Sequence, residues 1–465
     1  MPFSEESTIC AIATASGRGG VGIVRISGVK TKFISRNILG FKPKIRHAQT
    51  CKFLDHDGST IDTGIAIFFE GPSSYTGEDV LELHGHGSLP LLNQVVKRIL
   101  HLGAKLARPG EFTERSFLNG KMDLVQAEAV ADLIEASTEQ QAKSASRTLR
   151  GAFSARIKKL QKLLTQTRIN VEATIDFTDE DLELATQKTI LELIFSCISE
   201  LDTILKEARQ GLIMNDGVQI VISGYPNSGK STLLNALAGT DSAIVTAIPG
   251  TTRDVLNVEI SIAGVPINLT DTAGLRETSD PIEQEGVKRA QEAIYSADHI
   301  LFVIDATTLD KNLTNLPEIV GSFMSNHALK LDSGKRFTIV INKLDLVENR
   351  ELSVSNLEVL DIEATVIEIS AKTKMGIEKL RKRFIDVSGY TPSNTDNFSV
   401  RARHIDALEI TNTHLVNAKE LSKSVNVELV AEELRLCQKA LGSITGEFTS
   451  DDLLGEIFAS FCIGK

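Results

Sequence analysis

No tryptophan occurs among the 465 residues and only four tyrosines do. That disfavours a base-stacking platform for RNA and leaves backbone contacts as the way any RNA would be held. The five cysteines, Cys10, Cys51, Cys197, Cys437 and Cys462, form no CxxC pair, which argues against a disulfide framework or a zinc knuckle and fits a reducing cytosol. No apolar run approaches the roughly 20 residues of a membrane span. The opening MPFSEESTIC has neither a basic nor an apolar leader region, so the expectation is a cytoplasmic protein, neither secreted nor integral. Positive charge also falls short: 50 Lys and Arg face 61 Asp and Glu, a net charge of −11. Any contact with nucleic acid must therefore come from a local patch.

What is present is globular material. A chain that is 42% hydrophobic and 24% charged can build packed cores and is not disordered throughout. Its length is about three times a domain of roughly 150 residues, so several domains are expected. Residues 1–120 carry short β-like runs, ICAIATA, GVGIVRISG, TGIAIFFE and EDVLELHGHG, with one helical stretch at LPLLNQVVKRILHLGA; this is an α+β pattern. Over 121–215 the apolar residues recur at helical spacing, as in LVQAEAVADLIEAS and LQKLLTQTRINVEATI. Over 216–388 the apolar runs VQIVISG, HILFVIDA, FTIVINKLD and TVIEISAK alternate with helical segments, the mark of a mostly parallel sheet covered on both faces. Helical periodicity returns in 389–465, as in VELVAEELRLCQKALGSITG. The expected architecture is α/β plus α+β and multidomain, with the α/β unit inserted into a helical domain made of two stretches.

The run VQIVISGYPNSGKSTLLNALAG sets GYPNSGKS, Gly224 to Ser231, between an apolar strand and a helix, the context a phosphate-binding loop requires. Its glycines let successive N–H groups face the α- and β-phosphates at a helix N-terminus. Asn227, Ser228, Gly229, Lys230, Ser231 and Thr232 are the candidate contacts. Lys230 suits the β- and γ-phosphates and the Ser231 hydroxyl suits Mg²⁺. Downstream, Thr246, Ala247, Ile248, Pro249, Gly250, Thr251 and Thr252 read as a first switch, in which Thr252 completes the Mg²⁺ shell when a γ-phosphate is present. Asp271, Thr272, Ala273 and Gly274 end the strand PINLTDTAG and supply a carboxylate toward the metal's waters and an amide toward the γ-phosphate. Asn342, Lys343 and Asp345 follow the strand FTIVIN. The Asp345 carboxylate can accept the N1–H and 2-amino protons of guanine, which adenine does not offer, so it selects GTP over ATP. Ser370, Ala371 and Lys372 suit a loop touching the base.

Hydrolysis needs a group that orients water. Leu275 follows Gly274 and cannot do so, which leaves the acids of LRETSDPIEQEG: Glu277, Asp280, Glu283 and Glu285. Spacing alone does not choose among them, and all four also fit a solvated helix face. Arg253 and Arg276 lie close in sequence but read equally as surface charge. Asn227 and Thr251 offer oxygens beside the phosphates, and a monovalent cation held there would offset charge on the leaving group.

GYPNSGKS, AIVTAIPGTTRDV, DTAGLRE, NKLD, GRGGVGIVRISG, GEFTERSFLNGKMDL and the closing ITGEFTSDDLLGEIFASFCIGK run in order along the whole chain. Together they resemble the bacterial tRNA modification GTPase family called MnmE or TrmE. The resemblance implies a homodimer whose N-terminal α+β domain binds a tetrahydrofolate, 5,10-methylene- or 5-formyl-tetrahydrofolate, and dimerises. It implies a helical domain split by an inserted Ras-like P-loop G domain, and G domains that meet in a K⁺-dependent manner. With an FAD protein partner of the MnmG (GidA) type, in a heterotetramer, such a protein adds a carboxymethylaminomethyl or aminomethyl group to the wobble uridine of tRNA, the one-carbon unit coming from folate. By the same resemblance Glu283 acts through water on the γ-phosphate, and Asn227, Thr251 and the carbonyls of Thr246 and Ile248 hold K⁺. Arg25, Glu82, Lys121 and Lys465 contact folate, and Cys462 supplies a functional thiol. The PG of IPGTTRD departs from the family's more usual AG, which stiffens the K⁺ loop and spares its ligands.

Other features read more plainly. His84 and His86 in HGHG lack a third nearby ligand and are strand or turn residues rather than a metal pair. GRGGVG, Gly17 to Gly22, imitates a dinucleotide fingerprint, but no helix follows it, so a glycine hairpin or tight loop is expected. CIGK at Cys462 to Lys465 imitates a prenylation box, which its Gly and terminal Lys oppose. The eight basic residues Lys143, Arg147, Arg150, Arg156, Lys158, Lys159, Lys162 and Arg168, with no acid among them, form a candidate RNA or partner contact. The competing reading balances them against the acids Asp179, Glu180 and Asp181. The alternative function is a ribosome-assembly GTPase of the Era or Der type, which would place a KH-type domain with a GXXG loop after the G domain where this chain has helices and CIGK.

Overall fold

The structure, a computed structural model, describes residues 7–15, 17–176, 183–239, 243–244, 257–271, 292–310, 313–326, 336–347, 354–359, 362–391, 398–424, 427–447, 451–462 and 464. Contacts group the chain into two compact units. One joins Met1–Ile134, Ser146–Asp202 and Asp406–Lys465; the other joins Glu135–Ala145 and Thr203–Ile405.

The first unit begins with strands β1 (Ile9–Ile12) and β2 (Gly19–Ser27), helix α1 (Thr31–Leu39), strands β3 (Gln49–Leu54), β4 (Thr60–Phe69) and β5 (Val80–Gly87), helix α2 (Leu89–His101), strand β6 (Lys105–Leu106) and helix α3 (Glu111–Leu118). The strands form one sheet in the order β3-β4-β5-β2-β1-β6, antiparallel except for the parallel β1–β6 pair. Alternation decides which face is buried. Val24 and Ile26, Leu81 and Leu83, Ala66 and Phe68 point to a core closed by Ile34 and Ile38 of α1 and by Val95 and Ile99 of α2. Each such aliphatic side chain contributes about 1.5–3 kcal/mol by leaving water. The intervening residues Arg25, Glu82 and His84 fall on the opposite, half-exposed face. The GRGGVG run enters β2 as a strand with a register irregularity between Gly19 and Gly22, in keeping with a glycine hairpin.

The helices that follow are α4 (Leu124–Glu135), α5 (Glu139–Leu149), α6 (Ala152–Asp176) and α7 (Glu183–Asp216). Leu160, Leu164 and Val171 of α6 are buried, as are Leu434, Cys437 and Leu441 of the helix Val427–Thr445. Across these two helices Arg168 donates to Gln438 Oε1 at 2.9 Å and Gln438 to Thr165 Oγ1 at 2.9 Å. The helical stretches on either side of the inserted segment therefore pack on each other. The last helix, Asp451–Ala459, buries Ile457 and Phe458, with Phe461 just beyond it, against Leu124 and Ala127.

The second unit holds β7 (Val218–Ser223), helix α8 (Lys230–Ala238), β8 (Ala243–Ile244), β9 (Asn257–Ile262), β10 (Val265–Asp271), β11 (His299–Asp305), β12 (Arg336–Asn342), β13 (Val354–Val359) and β14 (Ile362–Glu368). The sheet order is β13-β14-β12-β11-β7-β10-β9-β8. Its five central strands run parallel, and antiparallel pairs close the edges. The central strands bury both faces. Ile220, Ile222, Leu301 and Val303 face one core, while Val221, Ile300, Phe302 and Ile304 face the other, which is why these runs read as continuously apolar. Strand β7 lies between β10 and β11, so the loop at its carboxyl end opens at the point where the strand order reverses, the usual place for a ligand in such sheets. Ser137 of the segment before α5 donates to Glu259, and Thr138 to the Gly264 carbonyl, on the β9–β10 hairpin of the same unit. Among the described residues no helix is long and apolar enough to cross a membrane.

Candidate nucleotide and folate sites

The phosphate loop is shaped by backbone that only certain residues adopt. Gly224 has φ of 140°, and a Cβ there would lie 2.2 Å from the Val303 carbonyl oxygen, so no side chain fits. Gly229 has φ of 93°, and a Cβ would meet Asn342 Nδ2 at 2.3 Å. Asn227 between them takes a left-handed φ of 62°, a conformation Asn tolerates better than most residues. Lys230, the first residue of α8, folds back and donates to the carbonyls of Gly224 at 3.0 Å and Tyr225 at 3.1 Å. Its ammonium is thus held over the loop where phosphate oxygens would replace those carbonyls. Ser231 and Thr232 are exposed on the first turn of the helix, and the Ser231 hydroxyl donates to Asp271 Oδ2 at 3.5 Å. Asp271 is 2% exposed at the end of β10, paired in register with Ile222 of β7. A hydroxyl and a carboxylate meeting beside an N-terminal helical turn are hard oxygen donors of the kind Mg²⁺ takes.

The base-reading segments meet the same loop. Asn342, 2% exposed, donates to the Ser228 carbonyl at 3.0 Å and accepts from the Ala371 N–H at 2.9 Å, tying the phosphate loop to the loop after β14. Lys343 pairs with Asp305 at 2.7 Å. Burial alone would raise the Asp305 carboxyl, but the Lys343 ammonium and the Thr307 N–H and hydroxyl outweigh it and hold the group below the usual carboxylate range. Ser370 donates to Asp345 Oδ1 at 2.6 Å, while Asp345 and Lys372 are exposed and Ala371 is buried. The structure therefore gathers Asn227, Ser228, Gly229, Lys230, Ser231, Asp271, Asn342, Lys343, Asp345, Ser370 and Ala371.

Thr246, Ala247, Ile248, Pro249, Gly250, Thr251 and Thr252, together with Thr272, Ala273, Gly274, Leu275, Glu277, Asp280, Glu283 and Glu285, lie outside the described residues, as do Arg253 and Arg276. Sequence reasoning missed two contributors. Tyr225 anchors the loop through its hydroxyl to the Ile319 carbonyl at 3.3 Å and its ring edge-on to Phe323 at 5.2 Å. Asp305 holds Lys343. The signals were an aromatic inside a glycine loop and an acid ending the strand HILFVID.

In the first unit, Arg25 Nε donates to Glu82 Oε1 at 3.0 Å, following from the direct β2–β5 register of the two residues. The guanidinium carbon lies 5.4 Å from the ring centre of Tyr75 and 5.7 Å from that of Phe112, and Nη1 reaches the Gly464 carbonyl at 3.5 Å. Gly464 has φ of 98°, and a Cβ there would lie 2.3 Å from the Ile12 carbonyl oxygen. The Cys462 carbonyl accepts from the Gly110 N–H at 3.4 Å. Gly464 is thus seated against β1 and β2, and Cys462 against the start of α3. Lys465 itself lies outside the described residues. Lys121 donates to the Pro72 carbonyl at 2.9 Å, at the start of the loop that carries Tyr75. Cys462 is exposed while the other four cysteines are buried, and burial pushes the Cys10 thiol up to about 12. Cys462 is therefore the accessible thiol. A paired arginine and carboxylate 3.0 Å apart beside aromatic rings fit the donor-bearing ring of a folate, one end of that molecule and not its acidic tail as well.

Of the two histidines in HGHG, His84 lies 3.2 Å from Glu82 and His86 2.8 Å from Asp62; each has a carboxylate partner. Arg156 and Lys159 pair with Glu200, Lys158 with Asp123, Lys143 with Glu139 and Arg168 with Glu172. Five of the eight basic residues thus have a carboxylate partner among four acids, whereas Asp179, Glu180 and Asp181 lie outside the described residues.

A family model described as MnmE helical domain matches residues 124–462, and one described as GTP-binding protein TrmE N-terminus matches residues 8–121. A protein of Methylococcus capsulatus named tRNA modification GTPase MnmE is 48% identical over 467 residues, covering 100% of both chains. One of the same name from Shewanella frigidimarina is 49% identical over 460 residues, covering 98% of this chain and 99% of its own. A solved structure of Aquifex aeolicus Era bound to GDP and aluminium fluoride is 27% identical, covers 42% of this chain and 65% of that one, and superposes with a TM-score of 0.28, too low to carry any argument.

Proposed function

The chain belongs to the MnmE (TrmE) family of tRNA modification GTPases, and from that premise we propose that it hydrolyses GTP in a K⁺-dependent manner to drive folate-dependent modification of the tRNA wobble uridine. The observation that carries the GTP part is the convergence of Lys230, Ser231 and Asp271 with Asn342, Asp345 and Ser370 around one loop. In this reading Lys230 and the N–H groups of Asn227 to Thr232 bind the phosphates, and Asp345 accepts the guanine donors. Ser231 and Thr252 would hold Mg²⁺, with the Asp271 carboxylate beside Ser231 to support it. Asn227, Thr251 and the carbonyls of Thr246 and Ile248 would hold K⁺, which would supply positive charge beside the phosphates. Glu283 orients the attacking water, a task Leu275 cannot perform.

Arg25, Glu82, Lys121 and Lys465 would hold the tetrahydrofolate, which supplies the one-carbon unit, and Cys462 would present its thiol nearby. The partners are a second copy of the chain, an FAD protein of the MnmG type and tRNA, and the setting is cytoplasmic. The division proposed is 1–120 for folate and dimerisation, 121–215 and 389–465 for the helical domain, and 216–388 for the G domain.

Two measurements test the catalytic half. Steady-state hydrolysis should rise steeply when K⁺ replaces Na⁺, and Asn227→Ala should flatten that response while GDP affinity stays near wild type. A wild-type rate indifferent to K⁺ removes the cation from the reading. Glu283→Ala should lower kcat by about 10²-fold with little change in GTP binding. Equal damage from Glu277→Ala or Glu285→Ala, with a mild effect at Glu283, would assign the water to another acid.

A further inference from the structure

GTP hydrolysis leaves the HGHG segment of β5 without a task, yet its first histidine touches a candidate folate residue. Glu82 and His84 are two apart on the strand and leave the sheet on the same face, while Leu81 and Leu83 are buried in the core behind it. The Glu82 carboxylate is divided between two neighbours. Oε1 accepts from Arg25 Nε at 3.0 Å and lies 3.0 Å from Arg25 Nη2, while Oε2 lies 3.2 Å from His84 Nε2.

The Arg25, Glu82 and His84 side chains are 20%, 17% and 24% exposed, so their polar contacts are partly withdrawn from water and strengthened by it. Around them the strands present Ile23 and Ile65 opposite His84 and Ile67 opposite Glu82, with Ile65 40% exposed. An apolar floor crossed by one charged row suits a flat heteroaromatic ring with hydrogen-bond donors at its edge. His86 is set apart: it bonds Asp62 on β4, and its side chain is 69% exposed.

We propose that His84 is a positioning residue for the pteridine ring of folate, acting through Glu82. Its Nε2–H donates to Oε2 and holds that oxygen away from Arg25. Carboxylate torsions are soft, and an arginine beside an unrestrained carboxylate closes into a two-pronged pair with both oxygens. Glu82 would then be consumed by Arg25, with no acceptor aimed at the ring's N–H donors. With His84 in place Arg25 engages Oε1 alone, and Oε2 keeps a lone pair directed into the open face. This inference rests on the folate reading of the same site.

The test is titration calorimetry of the full chain with 5-formyltetrahydrofolate, comparing wild type, His84→Leu, His84→Gln and the control His86→Gln. The expected result is weakening by about tenfold for His84→Leu. His84→Gln, whose amide N–H reaches the same place, should restore affinity to within about threefold. His86→Gln should bind as wild type does. GTP turnover and the thermal unfolding midpoint of each variant report an intact chain, and His84→Ala takes the place of His84→Leu if the latter does not fold. Wild-type affinity in His84→Leu, or no recovery in His84→Gln, overturns the positioning role. A wild-type chain that does not bind the compound overturns the folate reading, and this inference with it.

Discussion

Asp345→Asn should exchange guanine for xanthine selectivity, lowering kcat/KM for GTP by about 10²-fold or more and raising it for xanthosine triphosphate. The carboxylate accepts two donors from the guanine edge, whereas an amide in its place presents an N–H that suits the 2-oxo group of xanthine. Asp345 is positioned for this by Ser370, whose hydroxyl holds Oδ1 at 2.6 Å and itself accepts from the Thr373 N–H at 3.2 Å. Asn342 fixes the distance between that loop and the phosphate loop. Kinetics with both nucleotides check the exchange, and an unchanged preference for GTP in the variant would remove Asp345 from base recognition.

Deleting Ile463 to Lys465 should abolish wobble-uridine modification and weaken 5-formyltetrahydrofolate binding, while K⁺-stimulated GTP hydrolysis persists. The two ends of the sequence meet in one unit: Gly464 packs against Ile12 and reaches Arg25, and Cys462 bonds Gly110. The residues proposed to bind nucleotide belong to the other unit, so losing the tail should leave them intact. Cys462→Ser should separate the two activities in the same way, because it removes the only exposed thiol of the five and little else. Full modification in a Cys462→Ser strain would reduce that residue to packing.

The most legible parts of the fold were those written in local patterns. VQIVISG followed by GYPNSGKS and a helix requires only neighbouring residues to be read, and the structure forms strand, loop and helix there. ITGEFTSDDLLGEIFASFCIGK is likewise a local pattern, one of the seven that together carried the family resemblance. Less legible was everything that depends on residues far apart. Glu200, the partner of Arg156 and Lys159, comes from α7, and Asp123, the partner of Lys158, from just before α4, pairings that the local sequence does not display. Tyr225 acts through Ile319 and Phe323, and Asp305 through Lys343, across helix and strand spacings that periodicity does not encode. The grouping of 135–145 with the inserted unit depends on Ser137 and Thr138 meeting the β9–β10 hairpin, a contact with no local signature. The Era or Der alternative gave way for a different reason: the matches over 8–121 and 124–462 are to MnmE and TrmE domains.

The central claim is that nucleotide hydrolysis at this loop drives a covalent change in tRNA. Mass spectrometry of tRNA nucleosides from a strain lacking the gene, complemented with wild type or with Glu283→Ala, tests it most directly. The expected result is loss of the carboxymethylaminomethyl or aminomethyl group from the wobble uridine, restored by wild type and not by Glu283→Ala; unchanged wobble nucleosides in the deletion strain would contradict it.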